Sequence, residues 1–234
     1  MSKILVAIPC MDQCPTPFMQ SVATMLTPPE DRSVVATQMG SLIYTSRNNL
    51  ALRAMAFGKD EDGDEAIIGT DFDYVLWLDS DMVFSQDLLI RMKKVMDDNN
   101  LDFLTGLYYR RQPPYSPVLF DTLEINGTGG CTWTDFEEVP TEGLFKVGGC
   151  GFGAVLIKTD VLFDVQAKYG NMFQPIANMG EDLSFCWRAR QCGYDIWCDP
   201  SIELGHIGYV AIGRKFYESY KGVHKEAQND QSAG

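Results

Sequence analysis

Histidine is scarce in this sequence, with two in 234 residues, and so is positive charge, with 19 Lys and Arg against 32 Asp and Glu for a net charge of −13. A protein that wraps long nucleic acid binds its phosphates through basic side chains, so the acid excess argues against that class. It does not argue against a small anion held through a metal ion. The seven cysteines, at positions 10, 14, 131, 150, 186, 192 and 198, form no repeated CxxC pair and are odd in number. Neither a disulfide framework nor a structural zinc site follows from them. No apolar run approaches the ~20 residues of a membrane helix. Met1 and Lys3 lead directly into Ile4 to Ile8 and then Pro9, which is not the pattern of a signal peptide. A reducing cytoplasm is the expected location. There is no internal repeat, and the 21 Gly and 11 Pro are scattered, which removes collagen-like and disordered classes.

What remains is a chain of 26.2 kDa that is 45% hydrophobic, enough to bury a core as one compact enzyme domain. Lys3 to Pro9 reads as a strand buried on both faces, followed by a helical pattern around Phe18 to Leu26, a strand at Val34 to Thr37 and a helix over Thr45 to Phe57. The acidic stretch Lys59 to Glu65 reads as a surface loop. Tyr74 to Leu78 is a further buried strand, and Ser85 is placed to cap a helix over Gln86 to Met96. From Phe103 to Val147, short strand-like pieces and Pro or Gly turns replace the helical period, which predicts an antiparallel annex. Gly153 to Lys158 continues as a strand, Thr159 to Tyr169 and Glu181 to Gln191 as helices, and Asp199 to Leu204 as a strand.

Four features could carry chemistry. Asp79-Ser80-Asp81 ends a five-residue apolar strand, where open α/β sheets bind ligands, and two carboxylates at i and i+2 can share one divalent cation. Carboxylates, water and phosphate oxygens suit Mg2+ or Mn2+ better than zinc. A charged turn is the alternative. Gly148 to Ala154 contains the spacing of a dinucleotide fingerprint, but a strand follows it where the fingerprint needs a helix. It reads instead as backbone open to close approach, by a ligand or by another strand. Glu181 and Asp182 open a helix, where acids serve the helix dipole or, in a sharper role, a general base. His206 lies between Gly205 and Gly208, with its ring accessible to a metal or simply packed. The chain after it turns basic, through Arg214, Lys215, Lys221 and Lys225, as a cover for an anion or a solvated helix would.

In this order, the strand ending in Ile8-Pro9, the helix start Arg47-Asn48-Asn49, the DxD of Leu76 to Asp81, Gly148 to Ala154, Gly180-Glu181-Asp182 and Gly205-His206 resemble the nucleotide-sugar glycosyltransferases of the GT-A fold. The likeness is greatest to family 2 and its small bacterial and phage members, and it covers about Ile4 to Tyr217. It implies an α/β fold: a single Rossmann-like GT-A domain over 1–226 with a central mostly parallel sheet, flanking helices and a small antiparallel annex. The nucleotide-binding half would be about 1–102, the acceptor and catalytic half about 103–226, and 227–234 a polar tail. The resemblance implies that Asp81 and His206 hold the metal, Mn2+ or Mg2+, with Asp79 sharing it or meeting the ribose. Pro9 and Arg47 would surround the base, Ser80 would also touch the donor, and Gly148 and Gly149 would lie beside the donor sugar. Asp182 would be the base in an inverting transfer, Glu181 would bond the sugar or acceptor, and Arg214 and Lys215 would belong to a lid. The donor would be a UDP-sugar or GDP-sugar and the acceptor a carbohydrate or other hydroxyl. Tyr108, Tyr109, Tyr115 and Trp133 would stack on sugar rings or pack. A rival reading is a haloacid-dehalogenase-type phosphatase with Asp79 as nucleophile, which needs its motif after the first strand of the domain.

Overall fold

The computed structural model of the protein describes residues 1–136, 138–209 and 213–214. In chain order its elements begin with β1 (Lys3–Cys10), α1 (Thr16–Thr24), β2 (Arg32–Met39), α2 (Ile43–Leu52), β3 (Met55–Lys59), β4 (Glu65–Thr70), β5 (Tyr74–Leu78), β6 (Met82–Val83) and α3 (Leu88–Asn99). They continue with β7 (Phe103–Leu107), β8 (Leu119–Ile125), β9 (Cys131–Asp135), β10 (Phe145–Val147), β11 (Gly149–Cys150), β12 (Ala154–Lys158), α4 (Thr159–Tyr169), α5 (Glu181–Gln191), β13 (Ile196–Glu203) and β14 (Gly205–His206).

Seven strands form the main sheet in the order β10-β13-β7-β12-β5-β1-β2. Pairing directions make five of them parallel, with β12 and β10 reversed. The mostly parallel α/β sheet with flanking helices is therefore present as expected. Its strands alternate side chains between two cores, as the period of a strand requires. Leu5, Ala7, Val75, Trp77, Val155 and Ile157 pack on one face, against α2, α4 and α5. Ile4, Val6, Ile8, Leu76, Leu78 and Leu156 pack on the other, against α1 and α3. A run that is apolar at every position is what a strand needs when both faces are covered.

Local signals shape the helix ends. A proline opens α1, with φ already near its helical value. Gly170 at φ 70° closes α4 in the left-handed conformation that glycine adopts without strain. Glu181 and Asp182 stand in the first turn of α5 and Arg188 and Arg190 in its last, matching the helix dipole at both ends.

Three expectations are corrected. The helix predicted over 45–57 stops at Leu52, and Met55–Lys59 pairs with β4 as a hairpin whose turn is the acidic stretch. Phe57, placed by a helical reading on the core side, is 62% exposed. The helix predicted from Gln86 begins at Leu88, and Ser85 bonds the Asp87 side chain instead of capping a backbone amide. Phe103–Leu107 is not annex but a fully buried central strand between β12 and β13, a site covered on both faces that its uncharged residues suit. The antiparallel annex is the three-stranded sheet β11-β8-β9.

The inner aromatic cluster centres on Phe152, whose ring meets Trp77, Phe103, Phe173 and Phe185 at centroid distances of 5.5–6.1 Å. Phe152→Ala should lower stability by about 3–5 kcal/mol through lost contacts and a residual cavity, read as a reduced urea midpoint with an unchanged m-value.

Candidate active site

Because β1 and β5 run parallel and adjacent, their carboxyl ends deliver Pro9 and the Asp79-Ser80-Asp81 turn to one edge of the sheet. A cleft of about 320 Å³ opens there, and Pro9, Arg47, Asp79, Ser80, Asp81, Glu181 and His206 all line it. Seven residues singled out in the sequence are thus brought together from five separate segments.

Arg47 is the hub. It projects inward from α2 with 2% of its surface exposed, its guanidinium 5.1 Å from the Phe152 ring and 5.8 Å from that of Trp77. Nη2 donates to Asp79 Oδ1 at 2.7 Å and Nε to Glu181 Oε1 at 3.3 Å, while buried Nη1 has no hydrogen-bond partner. Burial opposes the Arg47 charge, but Asp79, Glu181 and Asp182 more than offset it. Burial also raises the Asp79 pKa, against the opposing pull of Arg47.

The two carboxylates of the DxD turn face different partners. Asp81 Oδ2 accepts from Arg111 Nη1 at 2.8 Å and lies 3.4 Å from His206 Nε2. The short β14 makes this possible: it pairs antiparallel with β6, setting His206 opposite Met82, and the Ile207 amide donates to the Asp81 carbonyl at 2.8 Å. His206 Nδ1 is 2.8 Å from the Tyr109 carbonyl, which can only accept, so Nδ1 carries a proton. In the neutral ring Nε2 then keeps its lone pair beside Asp81, the second-sphere arrangement that orients metal-binding histidines. Burial works against charge on Asp81, yet His206 and Arg111 hold its carboxyl below the ordinary range. Hydrogen bonding to Asp81 raises the His206 pKa.

Among the described residues no group of three or more His, Cys, Asp or Glu could hold a metal ion. Asp81 and His206 are the carboxylate and imidazole that would hold Mn2+ or Mg2+ here, with phosphate oxygens and water completing the shell, although Asp81 Oδ2 already faces Arg111.

Asp182 lies next to this hub without lining the cleft. Burial first, then the neighbouring Glu181 charge, pushes its pKa up to about 6. Gly148 and Gly149 are buried against the annex: a Cβ on Gly148 would come within 2.8 Å of the Asp121 and Thr122 backbone, and one on Gly149 within 2.9 Å of Leu123. The close approach their backbone admits is that of β8. Arg214 is exposed, and Lys215 falls outside the described residues. Tyr108 is 4% exposed and packs edge-on at 5.4 Å from the His206 ring, whereas Tyr109, Tyr115 and Trp133 are exposed. The phosphatase reading places its aspartate after the first strand, but β1 and β2 precede β5 in the sheet. Sequence reasoning missed Arg111; no motif surrounds it, and only its adjacency to Arg110 in an acidic chain marks it.

No family model and no curated protein sequence matches the chain. Among solved structures, A197 from STIV is similar with a TM-score of 0.53 at 16% identity, over 92% of this chain and 97% of that one. GalNAc-T7, in a structure with UDP, GalNAc and Mn2+, is similar with a TM-score of 0.58 at 12% identity, over 91% of this chain and 44% of that one. The match thus spans less than half the length of GalNAc-T7. The shared architecture is the GT-A fold. No helix of the described residues is long and apolar enough to cross a membrane.

Removing Arg47 would leave Asp79 and Glu181 facing each other without their cation. Arg47→Gln should cost about 2–4 kcal/mol by urea denaturation, while Lys94→Gln in the exposed pair with Asp98 stays within about 0.5 kcal/mol.

Proposed function

We propose that the protein is a metal-dependent glycosyltransferase that moves a sugar from a nucleotide diphosphate sugar, most simply a UDP-sugar, to an acceptor hydroxyl with inversion. The observation that carries this reading is the Asp81 and His206 pair at the rim of the cleft that Pro9 and Arg47 line. The UDP and Mn2+ in the GalNAc-T7 structure support it on a shared fold.

In this reading Pro9 and Arg47 flank the base, Asp79 and Ser80 meet the ribose and phosphate side of the donor, and Asp81 and His206 hold the cation. The bound cation supplies positive charge against the leaving diphosphate as the glycosidic bond breaks. His206 keeps Nε2 available because Tyr109 fixes the proton on Nδ1. Asp182 accepts the proton of the acceptor hydroxyl, from the face opposite the leaving group. With a pKa near 6 it is ionised at neutral pH yet more basic than an ordinary carboxylate, and such base catalysis contributes ~10²–10⁴-fold. Glu181, tied to Arg47, bonds the sugar or acceptor on the same helix turn.

Thermal unfolding with UDP, GDP or ADP, each with Mn2+ or with EDTA, tests the donor. At least one nucleotide should raise Tm by several degrees only with metal, and Asp81→Ala and His206→Ala should abolish the rise; no response to any nucleotide would sink the reading. Trapping of a phosphoaspartate on Asp79 would revive the phosphatase.

Asp182 carries two further expectations. Transfer should fall about tenfold per pH unit below pH 6 and level off above it, since only the ionised base works, and Asp182→Asn should keep nucleotide binding and lose transfer. Its folded pKa lies above the unfolded value of about 4, so its stabilising effect is full below pH 4 and lost as pH rises through 6. Ligand-free Asp182→Asn should therefore be more stable than the parent at pH 8, by on the order of 1–2 kcal/mol after allowing for solvent screening, and of equal stability near pH 4.

A further inference from the structure

Beyond the donor cleft, on the other side of Arg111 and His206, lies a larger pocket of about 660 Å³. Tyr108, Arg110, Gln112 and Tyr209 line it together with those two residues. Among the described residues two guanidinium groups and no carboxylate face it, in a chain where acids outnumber bases 32 to 19. The two arginines differ. Arg111 is already matched by Asp81 at 2.8 Å. Arg110 makes no ion pair among the described residues, and its guanidinium has only the Phe120 ring, at 6.0 Å. The segment that carries them is held in place: Tyr109 bridges Pro117, the Arg110 amide donates to the Ser116 carbonyl at 2.9 Å, and the Tyr115 amide to that of Gln112 at 2.9 Å. Along the pocket the Tyr108 hydroxyl accepts from the Gly153 amide at 3.2 Å and His206 Nδ1 donates to the Tyr109 carbonyl at 2.8 Å.

We infer that this pocket receives the acceptor, and that the acceptor carries an anionic group, a carboxylate or a phosphate, bound by Arg110. A planar guanidinium with an open fork of donors is matched by either anion in bidentate geometry. A net charge of −13 repels anions over most of the surface, so a wall whose described residues include two arginines and no carboxylate is where one can be admitted. The pocket shares Arg111 and His206 with the donor cleft, which sets an occupant beside the cation-binding pair. The word acceptor rests on the glycosyltransferase reading; the anion preference rests on the pocket itself.

The experiment follows the arginine Nε–H NMR signals of the full chain, labelled with 15N-arginine, during titration with glucuronate, glucose 6-phosphate and glucose, with and without UDP and Mn2+. Arg53, exposed and among the described residues side-chain bonded only to Gln38, serves as the internal control for unspecific anion contact. Glucuronate or glucose 6-phosphate should shift Arg110 at about tenfold lower concentration than Arg53, the responding ligand separating carboxylate from phosphate, and glucose should shift neither. In Arg110→Gln the calorimetric affinity for that acid should fall about tenfold while UDP affinity stays within twofold. The inference is overturned if Arg110 responds no more than Arg53, or if glucose acts as the acids do. It is also overturned if Arg110→Gln weakens UDP tenfold, which would assign Arg110 to the donor diphosphate. Absence of UDP binding with a specific Arg110 response would leave the anion pocket standing and remove the transferase reading instead.

Discussion

The site depends on one buried cation. Arg47 crosses the space between the end of β5 and the start of α5, bonding Asp79 on one side and Glu181 on the other. Without it, three carboxylates, Asp79, Glu181 and Asp182, would converge with nothing to offset their repulsion. A buried arginine is tolerable only because those charges return more than burial removes, and because its flat face lies against Phe152 and Trp77. The same Phe152 fills the aromatic centre of one core, so packing and site electrostatics meet at a single ring.

Around this hub the remaining groups are placed by backbone pairing. The two-residue ladder of β6 and β14 sets His206 against Asp81 across a separation of most of the chain. Tyr108 underlies His206 and is itself seated by the glycines that follow the annex: a Cβ on Gly151 would meet its hydroxyl at 2.1 Å, and one on Gly153 its ring at 2.7 Å. The glycine run therefore acts on the site through Tyr108 and β8, by letting them approach.

Charge is divided between two chemistries. His206 and Arg111 hold the Asp81 carboxyl below the ordinary range, whereas burial and the neighbouring Glu181 charge push Asp182 up to about 6. Two aspartates, one in the turn after β5 and one in the first turn of α5, thus differ in proton affinity because of their surroundings alone. The acid excess of the chain is in part this cluster.

Legibility followed the range of the interaction. Buried strands such as Lys3–Cys10 and Tyr74–Leu78 were readable because a strand covered on both faces must be apolar at every position, and the acids ending β5 were readable because nothing polar precedes them. The hairpin at Met55–Lys59 and the central place of Phe103–Leu107 were not, since short apolar segments suit helix, annex or sheet until their partners are known. Residue types alone determined that a DxD turn, an acid pair at a helix start and a histidine between glycines exist in this order. Only the tertiary structure decided that Arg47 parts Asp79 from Glu181, that Arg111 joins the site and that Arg110 faces an open pocket. Those outcomes depend on which side chains meet across tens of residues, and no local propensity encodes a long-range distance.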